Sequence, residues 1–303
     1  MAETLSERPA GAAVLTRPVK RAAAPAPDAA TARSEQGVGI VPQSRRRRLG
    51  RRRSLPGSRL LGPLLVILVW QAAAWVGLLD PRLLTGPDAV AGTAWTLIAD
   101  GTLGEHVGAS LGRAATGLVL GTVAGVVLAI VAGLTRLGES LVDGTLQVKR
   151  AIPTLALIPL LILWLGIGEE FKVTIVALGV LVPIYINTYS ALTGIDSKHI
   201  ELAESLSLTR WQYVRWVLAP GALPGFFVGF RLAVVGSWMA LIVVETINAT
   251  SGIGYMMSQA QLYAQSDIIL VGLVVYGVFG FTSDALVRLL ERKVLSWRRT
   301  FAS

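Results

Sequence analysis

Six apolar stretches, at residues 60–79, 110–134, 151–167, 171–192, 224–247 and 268–288, limit what this chain can fold into. A helix needs about 20 mostly apolar residues to cross the hydrocarbon of a bilayer. The third stretch is shorter than the others and holds Pro153 and Pro159, so its limits are the least defined. Hydrophobic residues make up 53% of the chain and charged residues 16%, against roughly 25% charge in a soluble domain. The expectation is an all-α, polytopic membrane protein with six transmembrane helices over 59–303. With no cysteine in the chain, a disulfide framework and a thiolate metal site are both excluded.

The basic residues give the orientation. If the N-terminus lies in the cytoplasm, the inside segments are 1–59, 135–150, 193–231 and 288–303, and they hold 25 of the 28 Lys and Arg. Outside segments keep Arg82 and Lys172, while Arg113 sits just within the second stretch, where it is expected to snorkel outward. This asymmetry is the one the positive-inside rule describes, and it puts both termini in the cytoplasm of a cell-membrane protein. Residues 1–58, rich in Ala, Pro and Arg, read as a disordered basic tail. The arginine-rich run 45–53 beside the first span reads as an anchor on anionic lipid rather than a nucleic-acid patch. No cleavable signal peptide is visible ahead of the first span.

Between the fourth and fifth stretches lies a polar element, IELAESLSLTRWQYVRWVLAPGALPGFFVGF, at 200–230. It reads as a helix containing Glu201 and Ala203, a break at Ser207-Leu208, and a second helix from Thr209. Thr209-Arg210-Trp211-Gln212 fits a capping box, in which the Thr hydroxyl accepts from the Gln212 amide and Gln212 reaches back. Pro220 is expected to stop the second helix and Pro224 to start the next, on either side of Gly221. This pattern resembles the cytoplasmic EAA loop of binding-protein-dependent ABC importer permeases, the loop that docks on the ATPase. The resemblance implies a coupling loop over 193–225 carried by Glu201, Ala203, Ser207, Thr209, Pro220, Gly221 and Pro224. That family usually has glycine where this chain has Ser207. Glycine accepts the left-handed helix-end conformation that serine adopts only at a cost.

Elsewhere, Pro87 to about Asp100 reads as a short amphipathic helix with Val90, Ala94, Leu97 and Ile98 on one face. Gly117, Gly121 and Gly125 recur every four residues, as do Gly225 and Gly229, which predicts close helix packing within the bundle.

The spans are nearly free of charge, and His106 and His199 read as loop residues, so no ion relay is apparent. Nor is there a G-x-x-x-x-G-K-[ST] phosphate loop. A transporter body lacking both must take its energy from a partner. From about Leu84 to Arg292, with a core at 105–290, the chain is similar to permeases of the nitrate/sulfonate/taurine group. Ala156–Leu160, Ile162–Ile167, Pro183–Thr188, Glu245–Ala249 and Ser251–Tyr255 are most similar to aliphatic sulfonate permeases.

The resemblance implies a type I importer bundle with no catalysis, metal or cofactor of its own. Its partners would be a second permease copy, an ATP-binding subunit, an extracytoplasmic solute-binding protein and membrane lipid, with no nucleic acid. The resemblance further implies the permease subunit of an ATP-driven importer whose cargo is a small anionic solute, first an aliphatic sulfonate. Nitrate, taurine or another small solute of the group is the alternative, and a stand-alone channel or facilitator is the alternative from another class. Trp238 and Glu245, seven residues apart, lie on one face of the fifth span and are the candidate pathway residues. Glu245 is expected to bond the loop carrying Asn248 and Ser251. On that reading Glu245→Gln changes transport by less than about tenfold, the scale of one hydrogen bond.

Overall fold

The computed structural model describes residues 58–80 and 82–297, and helix is the only regular structure among them. Residues 1–57, which hold nearly all of the proposed tail, lie outside the described residues. In chain order the helices are α1 (Ser58–Trp75), α2 (Pro87–Ala99), α3 (Thr102–Leu134), α4 (Arg136–Gly138), α5 (Gly144–Ala151) and α6 (Ile158–Leu165). They continue with α7 (Glu169–Thr193), α8 (Ser197–Ser205), α9 (Arg210–Tyr213), α10 (Ala219–Asn248), α11 (Ile253–Leu262) and α12 (Ser266–Val294).

The core is built around α7, whose Phe171, Ile175, Val176, Val180 and Ile184 are fully buried. Two glycine stripes let its neighbours close on it. A methyl added at Gly117 would sit 2.6 Å from Val176 Cγ1, and one at Gly125 would sit 2.8 Å from Ile184 Cγ2. On the other side, a methyl at Gly229 would lie 2.6 Å from the Pro183 carbonyl. Both stripes therefore serve packing inside the bundle, as expected, and bring α3 and α10 against α7. Gly121→Ala is expected to destabilise the chain by about 1–3 kcal/mol, because its methyl would fall 2.7 Å from Val180 Cβ and against the Ala177 carbonyl. Gly112→Ala on the same helix, where nothing lies within 4 Å, is the control. Thermal melting of the two purified variants should separate them, and equal melting temperatures would count against this packing role.

Four units are long and apolar enough to span: α3, α7, the continuous run Arg210–Ile247, and α12. The third sequence stretch is different. Arg136–Ala151 and Thr154–Leu165 form a pair bent by 90°. Pro153 lies at the bend, and Pro159 sits in the first turn of α6, where its missing N–H costs nothing. The first limb, α4 to α5 through a π-helical turn at Glu139–Asp143, is not a free loop. Tyr189 Oη donates to Glu139 (3.1 Å), Tyr185 Oη to Asp143 (3.1 Å), and Lys149 Nζ to the Leu178 carbonyl (2.7 Å). These contacts climb α7 from its Thr193 end towards its middle. Segment 135–150 thus lies beside a spanning helix, and the expectation of an inside loop there is corrected. With the bent pair as one span, the described residues hold five segments long and apolar enough to cross, and α1 is a shorter apolar helix outside that count, against the six expected.

Pro220 does not stop a helix, nor does Pro224 start one. Both lie within α10, and helix runs unbroken from Arg210 to Ile247. A π-helical turn at Val214–Leu218 precedes Pro220, with the Ala219 amide bonding the Val214 carbonyl. The widened turn shifts the carbonyl against which the proline ring would otherwise clash.

The Pro87 helix forms as α2, with Val90 buried but Ile98 exposed. It is tied to α1 by the Asp88 amide donating to Gln71 Oε1 (3.0 Å), and to α12 by Thr93 Oγ1 donating to Asp267 (2.7 Å). The Gln71 and Trp75 side chains beside Asp88 hold its carboxyl below its ordinary value. Asp284 pairs with Arg288 one turn on (2.5 Å) and also with Arg231 of α10 (2.6 Å), joining α10 to α12.

Candidate functional site

The element at 200–230 folds as α8 and a second helix that starts at Arg210, with a corner between them at 206–209. α8 ends in a Schellman-type cap, in which the Leu208 amide bonds the Ala203 carbonyl at 3.0 Å. Ser207 takes the left-handed position with φ 52°, one of two non-glycine residues with positive φ among the described residues. The break survives without glycine because the next helix is capped strongly. The Gln212 amide donates to Thr209 Oγ1 (3.3 Å) and the Thr209 amide to Gln212 Oε1 (2.8 Å), completing the capping box. Gly221 closes the element on its own base, where an added methyl would meet Ile195 Cδ1 at 3.1 Å. Glu201 is exposed, whereas Ala203 is 6% exposed and packed within the chain itself. Around Glu201 the corner presents Leu202, Leu206 and Trp211, the last two 62% and 70% exposed.

At the opposite end of the bundle, the charges read as peripheral are buried together. Glu245 is 1% exposed and accepts from Ser110 Oγ (2.8 Å), Arg113 Nη1 (2.8 Å), the Gly254 amide (2.9 Å) and Tyr276 Oη (3.1 Å). Arg113, 5% exposed, also donates to Glu169 (2.5 and 2.8 Å) and to the Ser251 carbonyl (2.7 Å). Lys172 completes the set by donating to Glu169 at 2.9 Å. Two carboxylates and two cations balance, and they join α3, α7, α10, α11 and α12 at one point.

Two expectations are corrected here. Arg113 does not snorkel outward, because the carboxylates of α7 and α10 meet it inside. Glu245 bonds the helix beyond its neighbouring loop, while Ser251 bonds Arg113. His106 lies within α3 and accepts from the Gly252 amide at 3.2 Å. A sequence signal for Arg113 existed: it continues the stripe Gly117-Gly121-Gly125 back by one turn, so it shares their inward face. Trp238 is buried and turned onto α12, stacked on Phe279 (centroids 5.2 Å) with Nε1 donating to Ser283 Oγ (3.2 Å).

A cleft of about 480 Å³ opens between α5 and α7. One wall is the stacked pair Tyr185 and Tyr189, centroids 5.5 Å apart. Asp143, Gln147 and Arg150 line the facing wall, with Gln147 Nε2 donating to Asp143 at 2.6 Å. The sequence reading missed this site because it placed 135–150 outside the bilayer.

Comparison with known proteins agrees with this architecture. The family described as "Binding-protein-dependent transport system inner membrane component" matches residues 121–296. A protein of Escherichia coli (strain K12) described as an aliphatic sulfonates transport permease, SsuC, is 43% identical over 79% of this chain and 91% of its own length. Its counterpart of the same description in Bacillus subtilis (strain 168) is 36% identical over 88% of this chain and 98% of its own. The Escherichia coli taurine transport system permease protein TauC is 30% identical over 78% and 88% respectively. Among solved structures, a chain of the MetNI methionine ABC transporter superposes with a TM-score of 0.51 at 21% identity. The match covers 64% of this chain and 96% of that one, a likeness of fold.

Proposed function

The chain belongs to the family of binding-protein-dependent transport system inner membrane components, and from that premise we propose that it carries a small aliphatic sulfonate across the cytoplasmic membrane as the permease subunit of an ATP-driven importer. The observation that carries the coupling role is the α8–α9 corner. A turn capped on both sides exposes an acidic residue and three large apolar side chains, Leu202, Leu206 and Trp211. Exposed apolar clusters of this kind mark protein contacts. The reading assigns them to a groove of the ATP-binding subunit, with Glu201 supplying charge, Ser207 and Thr209 shaping the corner, and Pro220, Gly221 and Pro224 shaping the first turns of α10 behind it. The cargo is carried over from the relatives described as sulfonate permeases. A second copy of the chain and an extracytoplasmic binding protein complete the assembly. ATP-driven closure of the ATPase pair would move α8 and, through the unbroken Arg210–Ile247 helix, the far end of the bundle.

The basic-residue asymmetry, which without segment 135–150 still puts 22 of the 28 Lys and Arg in inside segments, supports cytoplasmic termini. A reporter active only outside the cytoplasm is expected to work when fused after Asp100 or Gln261 and to stay silent after Ser197; activity at Ser197 would invert the topology. Function is tested by reconstituting the chain with its ATPase and binding protein in proteoliposomes. ATP-dependent accumulation of an alkanesulfonate is the expected result. Accumulation of nitrate or taurine instead would change the cargo, and uptake by the chain alone without ATP would replace the importer with a facilitator.

A further inference from the structure

We propose that the cleft between α5 and α7 is a contact site for a small amphiphilic anion, an alkyl sulfonate, with Arg150 as its charged anchor. The inference rests on the sulfonate reading above and adds to it the residue that meets the cargo inside the bundle. The limb Arg136–Ala151 carries several ionisable side chains alongside a spanning helix. Ionisable groups packed along spanning helices are kept where they pair or face a pathway. Three are committed: Glu139 to Tyr189, Asp143 to Tyr185 and Gln147, and Lys149 to Thr154 (3.0 Å) and the Leu178 carbonyl. Arg150 is exposed, lines the cleft, and has no hydrogen bond or ion pair among the described residues.

The chemistry of the walls fits an alkyl sulfonate at both ends. A guanidinium offers a planar fork of N–H donors that matches tetrahedral oxyanions, and Ser190 adds a hydroxyl on the α7 side. Leu146 and Ile186, beside the stacked tyrosine pair, give the alkyl part an apolar surface. Asp143, close by, opposes an anion, but its oxygens already accept from Tyr185 and Gln147. A cation weakened by a neighbouring carboxylate suits a transit site, which must release what it binds. The other role open to Arg150 is purely structural, as a cation at the negative C-terminal end of α5.

The absence of native cysteine makes the test direct. A single cysteine at Ser190, in the assembled complex in membrane vesicles, is treated with the anionic thiol reagent sulfonatoethyl methanethiosulfonate and with its trimethylammonium analogue. The anionic reagent should react faster, by about tenfold, and butanesulfonate should slow it. Both effects should vanish with Arg150→Gln and return in part with Arg150→Lys. Equal rates for the two reagents, or a preference that survives Arg150→Gln, would overturn the site and leave Arg150 a helix-end cation. Failure of the native complex to transport any alkanesulfonate would instead count against the cargo reading, since the labelling preference is measured independently of uptake.

Discussion

Arg113→Gln is expected to be the most damaging single substitution in the chain, costing about 3–5 kcal/mol. Its loss would leave Glu245, with a side chain 0% exposed, held by Ser110, Gly254 and Tyr276 but by no cation. Glu169 would suffer less, because its side chain is 58% exposed and Lys172 remains beside it. Against a total stability of roughly 5–15 kcal/mol, such a loss lowers the folded yield outright. Glu245→Gln should cost less than Arg113→Gln, since Arg113 would keep Glu169 and the Ser251 carbonyl. It should still exceed the single hydrogen bond expected from sequence, because the amide cannot satisfy four converging donors. The double variant should be less destabilised than the sum of the two, by at least about 1 kcal/mol, because removing both charges leaves neither stranded. Thermal melting of the four purified chains closes the cycle. Additive effects, each under about 1 kcal/mol, would show that the network is incidental to the fold.

This network also shows where sequence reading stops. The spans α3, α7, α10 and α12 were visible because bilayer thickness sets their length, and the Thr209 cap because it is local chemistry within four residues. The glycine stripes were visible because period and residue type together imply close approach. What was lost were charges whose partners lie far away in sequence. Arg113 meets Glu245 132 residues later, and at a span's edge it looks like any snorkelling arginine. The first limb of the bent third span was missed for the same reason. Glu139, Asp143 and Lys149 lower the average hydropathy of a segment whose polar groups are satisfied by Tyr189, Tyr185 and the Leu178 carbonyl. Pro220 was misread because the stopping rule assumes an α-helical turn before the ring, and here that turn is π-helical.

The second large effect is expected at the α8–α9 corner. Glu201→Lys and Leu206→Asp change side chains that face solvent in this chain, so each should leave its own stability within about 0.5 kcal/mol. If the corner seats in the ATPase, the same changes fall in a desolvated contact. There a central residue contributes about 2 kcal/mol or more, about thirtyfold in affinity. Both variants should therefore insert and melt normally, lose co-purification with the ATPase, and stop transport. Ala203→Asp makes the contrast. Ala203 is already buried before any partner arrives, so a carboxylate there strains α8 itself, and both melting temperature and docking should fall together. The distinction lies in the stability of the isolated chain, which docking cannot influence. Complexes of Glu201→Lys and Leu206→Asp that hold the ATPase and transport at the native rate would remove the corner from the coupling mechanism.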